Sequence, residues 1–165
     1  MSVLICYDGS PSARNAILSA ADALGPCEAT LLHLWNPPID VLPDSFGYTR
    51  DHSDVSTREL TSRSEQRARE IAEEGRQLAH DHGLTADPLV RPIAATAWET
   101  VLEVADERDS SIIIVGAHPR GRPGPSLSSV SAAILEHSSR PVLVIPMQTP
   151  HEDGAGSGTA VSQRV

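Results

Sequence analysis

The chain has 165 residues, a length that suits a single domain of about 100 to 200 residues. Hydrophobic residues make up 39% and charged residues 21%, near globular averages, which excludes disorder throughout. A net charge of -9 repels a phosphate backbone, and two Trp, two Tyr and one Phe are too few for a base-stacking platform beside a core, so no nucleic-acid partner is expected.

Every basic side chain is Arg, and the absence of Lys removes the P-loop, the protein-kinase strand lysine and Schiff-base catalysis. Cys6 and Cys27 lack C-x-x-C spacing and read as small buried hydrophobes in a reducing compartment. No basic then apolar leader follows Met1, and no apolar run approaches about 18 residues. The expectation is a cytoplasmic protein with no membrane partner.

The first predicted element is a strand, Val3 to Tyr7, which stops at the turn cluster Asp8-Gly9-Ser10-Pro11. A helix follows, with Ala13, Ala16, Ile17, Ala20 and Leu24 at helical spacing and Gly25-Pro26 as its stop. Ala29 to Trp35 is a second strand. The next twenty residues carry Pro37, Pro38 and Pro43 and form a long loop whose role the sequence does not reveal. From about Thr57 to His82 an amphipathic helix places Leu60, Ala68, Ile71, Leu78 and Ala79 on one face and ends at Gly83. Leu89 and Val90 mark a weak third strand. A helix from about Thr96 has Trp98, Val101, Leu102 and Ala105 as its inner face.

Ser111 to Gly116 is apolar on both faces, as a strand buried between two helical layers must be. A loop rich in Gly, Pro and Arg leads to a helix whose expected apolar face is Leu127, Val130, Ala133 and Ile134, and Val142 to Ile145 is the fifth strand. Residues 147–165 are polar and Gly-rich and are expected to be a disordered tail. Strands alternating with helices specify an α/β fold, a parallel sheet with helices on both faces. Ligands in such sheets sit beyond the carboxyl ends of the strands, where the strand order reverses, which selects the loops after strands 1 and 4.

Asp8 stands in the first of these loops, where its carboxylate suits ribose hydroxyls or a metal-bound water, and equally suits capping the first helix. In the second, Gly116 permits a sharp turn, Ser126, Ser128 and Ser129 crowd a helix start that attracts anions, and Arg120 and Arg122 add positive charge. There is no G-x-S-x-G elbow. His80 and His82 flank Asp81 at a polar helix end and read as solvated, and no catalytic nucleophile and base can be nominated.

Two stretches resemble the universal stress protein family, and together they extend the resemblance over residues 1–146. One is Leu4-Ile5-Cys6-Tyr7-Asp8-Gly9-Ser10. The other runs from Ile113-Ile114-Val115-Gly116 through Ser128-Ser129-Val130-Ser131 to Arg140-Pro141-Val142-Leu143-Val144-Ile145-Pro146. The resemblance implies a three-layer sandwich with a five-stranded parallel sheet in the order 3-2-1-4-5, of the adenine nucleotide alpha hydrolase-like type. It further implies a stress-response sensor or regulator that binds ATP or AMP, with Mg2+ as a companion ion, and that dimerises through the Val142–Ile145 edge. It implies Asp8, Leu34, Gly116 and Ser129 as nucleotide residues, to which the residues of the loop and helix start add Arg120, Gly121 and Ser128 as candidates.

The chain departs from the G-x2-G-x9-G-Ser/Thr pattern of the ATP-binding branch. Gly116 and Ser129 match its ends, Pro119 and Ser128 replace the second and third glycines, and the loop is one residue shorter. Gly121 and Gly124 offer a shifted register, whereas Pro119, Pro123 and Pro125 each remove a backbone N–H. The rival readings are a dimeric interaction module of the same fold without nucleotide, and a slow Mg2+-dependent ATP hydrolase.

Overall fold

The computed structural model describes residues 1–37, 54–117 and 128–146. Five strands and four helices alternate along it: β1 (Ser2–Cys6), α1 (Pro11–Leu24), β2 (Glu28–Trp35), α2 (Asp54–Asp81), β3 (Thr85–Pro92), α3 (Ala97–Glu107), β4 (Ile112–Gly116), α4 (Ser129–His137) and β5 (Val142–Ile145). All four strand pairs are parallel, as the alternation of strands and helices requires, and the sheet order is β3-β2-β1-β4-β5, the order that the family resemblance implies. Chain order reverses at β1, so the loops after β1 and β4 diverge over a crevice at the carboxyl edge.

Two apolar layers hold the sheet. Val3, Ile5, Ala29, Leu31 and Ile114 face α1 and α2, while Leu4, Leu32, Ile113 and Val115 face α3 and α4. The alternation follows from the period of two in a strand, and both faces are apolar because both carry helices.

Local signals set the helix ends. Ser10 caps α1, its hydroxyl accepting from the Ala13 amide at 3.2 Å with Pro11 in the first turn, and Gly25 (φ 66°) closes the helix. At the end of α2, Gly83 (φ 86°) takes the left-handed conformation that spares glycine the usual steric cost. There the Leu84 amide reaches the Ala79 carbonyl at 3.0 Å and delivers Leu84 into the core.

Three expectations need correction. β3 runs over eight residues, Thr85–Pro92, because full-length pairing with β2 compensates for weak local strand propensity. Leu60 is 50% exposed, not inward. The reason is length: α2 extends for about 42 Å, whereas the strands it covers extend for about 26 Å, and from Arg58 onward the first buried residue is Ala68. On α4 the buried residues are Ser131 and Ile134, while Val130 is exposed. Ser128 sets that rotation as the N-cap by accepting from the Ser131 amide at 3.0 Å. Leu127, most of the long loop expected after Trp35, and the expected tail at 147–165 lie outside the described residues.

Candidate functional site

A cavity of about 290 Å³ opens at the carboxyl edge of the sheet, where the strand order reverses. Cys6, Leu32, Leu34, Val101, Val115 and Ile134 form its apolar wall. They come from β1, β2, α3, β4 and α4, and most belong to the layer under α3 and α4. Asp8, Gly116, Ser128 and Ser131 supply its polar positions.

Of the residues nominated from sequence, Asp8, Leu34, Gly116 and Ser128 therefore surround one cavity. Ser129 lies in the first turn of α4, is exposed, and is not part of the described lining. Arg120 and Gly121 fall outside the described residues.

Asp8 does not cap α1, because Ser10 occupies that position. The Asp8 Oδ1 instead accepts from the Ser10 amide at 3.0 Å, closing an Asx turn around Gly9 (φ 79°). The turn leaves Asp8 exposed at the cavity mouth. Gly116 serves a different purpose from the sharp turn expected of it. Its φ is not left-handed, but a Cβ there would lie 2.7 Å from the Ser12 carbonyl carbon and oxygen. The glycine is what lets the start of α1 rest on the end of β4, next to the cavity.

Each of the two helices that start here has a pair of serines at its start. Ser10 Oγ lies 3.0 Å from Ser12 Oγ, and Ser128 Oγ lies 2.8 Å from Ser131 Oγ. The α1 and α4 amino termini thus bring the positive ends of two helix dipoles to the carboxyl edge of the sheet, in a chain with no Lys. Among the described residues no Arg lines the cavity, and no group of three or more metal-binding side chains occurs.

Cys6 packs in the wall, and burial, followed by the nearby Asp8 charge, pushes its thiol up to about 12. It stays a neutral, apolar wall group at neutral pH. Sequence reasoning gave no role in the site to Cys6, Leu32, Val101, Val115, Ser131 or Ile134. For Ser131 a usable signal existed, since it stands three residues after a serine N-cap and therefore on the sheet-facing row.

A model of the universal stress protein family matches residues 1–146. The chain belongs to that family. Among curated proteins none matches. Solved structures of the family share its fold at low identity. A universal stress protein family member from Burkholderia pseudomallei is 23% identical, with a TM-score of 0.62 over 88% of this chain and 95% of that one. An Arabidopsis thaliana family protein with AMP bound is 15% identical, with a TM-score of 0.63 over 90% and 93%. An Archaeoglobus fulgidus universal stress protein in complex with dAMP is 17% identical, with a TM-score of 0.59 over 88% and 97%. Among the described residues no helix is long and apolar enough to cross a membrane.

Proposed function

We propose that this universal stress protein binds an adenine nucleotide, AMP or ATP, in the cavity between the ends of β1 and β4, and acts as a sensor or regulator in the cytoplasm. The observation that carries the reading is the convergence of Asp8, Leu34, Gly116 and Ser128 on one cavity at the point where strand order reverses. The apolar wall suits a base, the Asp8 carboxylate suits ribose hydroxyls, and the two helix amino termini suit phosphate. The nucleotides bound by the Arabidopsis and Archaeoglobus relatives support the same reading. Arg120 and Gly121 would complete the phosphate side, with Mg2+ accompanying ATP.

Thermal unfolding with added nucleotide tests this. A ligand that binds only the folded state at a hundredfold excess over Kd stabilises it by about 2.7 kcal/mol, which moves the midpoint of a chain this size by about 5 to 11 °C. Asp8→Ala is expected to shrink that shift. No shift and no calorimetric heat with millimolar AMP, ADP or ATP would refute nucleotide binding.

A second reading, a dimeric interaction module without nucleotide, draws on Pro119 and Ser128 standing at two glycine positions of the ATP-binding pattern. Mass spectrometry of small molecules released from freshly purified protein separates the two. Both readings include a homodimer through β5. This strand pairs only with β4 in the described sheet, and its half-buried Val142, Leu143 and Val144 form an edge that a second copy would cover by an isologous contact. Sedimentation is expected to give a dimer at micromolar concentration, weakened by Val144→Lys. A monomer would refute it.

A further inference from the structure

The loop that carries Asp8 is backed by a single stripe of α2. Ile71, Glu74 and Gly75, spaced i, i+3 and i+4, share one face of that helix, and each meets the end of β1 or the turn after it. Ile71 Cγ2 lies 3.7 Å from where a Cβ on Gly9 would sit. The Tyr7 hydroxyl donates to Glu74 Oε1 at 2.9 Å. Gly75 makes room for the Tyr7 ring, since a Cβ there would come within 2.6 Å of Cδ1. The same Glu74 oxygen pairs with Arg14 of α1, so one carboxylate joins the helices on either side of the loop to the strand that feeds it.

Tyr7 is pinned from the other side as well. Its amide donates to the Leu32 carbonyl at 2.8 Å, and its carbonyl accepts from His33 Nδ1 at 2.8 Å. The residue as a whole is only 2% exposed. Packing alone would be met by Phe, and a half-exposed ion pair such as Arg14–Glu74 contributes little to stability. What the hydroxyl and the carboxylate add is direction: they fix the residue immediately before Asp8 relative to α2 and α1.

We propose that Glu74 is a positioning residue for Asp8, acting through the Tyr7 hydroxyl and Arg14, so that the placement of α2 and occupation of the cavity are linked. The proposal rests on the nucleotide reading given above. Linkage of this kind is reciprocal, because whatever holds the Asp8 turn in its binding geometry is itself held by the ligand.

Calorimetric titration of the full chain with AMP and with Mg-ATP tests it. Tyr7→Phe is expected to raise Kd about 3- to 10-fold, the range of one net hydrogen bond. Glu74→Ala is expected to do the same, and Glu74→Gln, which keeps a carbonyl acceptor for the phenol, to restore most of the lost affinity. In an Asp8→Ala background, Tyr7→Phe is expected to cost nothing further, because its effect runs through Asp8. The surface Glu74 pair keeps the test open if Tyr7→Phe folds poorly. Wild-type Kd in Tyr7→Phe and Glu74→Ala, or an undiminished penalty in the Asp8→Ala background, overturns the positioning role and leaves nucleotide binding standing. A wild-type chain that takes up neither nucleotide overturns both.

Discussion

Adding one methyl group at Gly116 tests whether this glycine is there for packing or for a phosphate. The added Cβ of Gly116→Ala would stand 2.7 Å from the Ser12 carbonyl carbon and oxygen and 3.0 Å from the Ala13 amide nitrogen, where ordinary contact begins at 3.4 Å. Those atoms are backbone, in the first turn of a helix whose Ala13, Ala16, Ile17 and Ala20 are buried, so no side chain can swing aside. The start of α1 must retreat from β4 by several tenths of an ångström. Overpacking of this kind costs about 1 to 3 kcal/mol, and for a chain of this length each kcal/mol lowers the melting midpoint by about 2 to 4 °C. Thermal denaturation followed by circular dichroism, with no nucleotide present, is therefore expected to show a loss of about 2 to 12 °C. A midpoint indistinguishable from wild type would refute the packing account. It would return Gly116 to the role first read from the sequence, a sharp turn leading into a loop that suits an anion.

Three further predictions concern buried and half-buried groups. Burial raises both thiols above the usual cysteine range, Cys6 up to about 12, so native protein at pH 8 is expected to react slowly with a disulfide reagent while urea-unfolded protein reacts at both cysteines at once; fast labelling of native Cys6 would contradict its place in the cavity wall. The same shift, with the Tyr7 phenol also pushed up to about 12 by burial and by its bond to Glu74, means the folded chain holds protons that the unfolded chain releases, so stability is present below about pH 9 and is lost as pH rises towards 12, which urea midpoints across pH 8 to 10.5 should display. The Ser110 hydroxyl is buried and has no hydrogen-bond partner among the described residues, so Ser110→Ala is expected to raise unfolding free energy by about 1 kcal/mol in urea titration, and a loss of stability would show that the hydroxyl is satisfied in solution.

Much of this protein is determined by signals that act within a few residues. The Ser10 cap with Pro11, the Gly25 and Gly83 stops and the doubly apolar Ile112–Gly116 strand place elements by local sterics and hydrogen bonding, which is why the strand and helix order and the α/β class were legible before any coordinates. The turn at Asp8 was legible as a turn for the same reason. What the side chains do there was not. Whether Asp8 capped α1 or stood at a cavity depended on which of two neighbouring residues reached the Ala13 amide, and the competition was decided by the path of the chain around Gly9. Other outcomes depend on elements far apart in sequence. β3 attains eight residues only by pairing along β2, and Leu60 is exposed only because α2 outruns the sheet. Gly116 is needed because Ser12, more than a hundred residues earlier, lies against it, and Tyr7 owes its orientation to Glu74 and Gly75. Sequence periodicity reports which face of an element is apolar; how far a partner extends and how closely two backbones approach are properties of the packed layers, and the tertiary structure alone sets them.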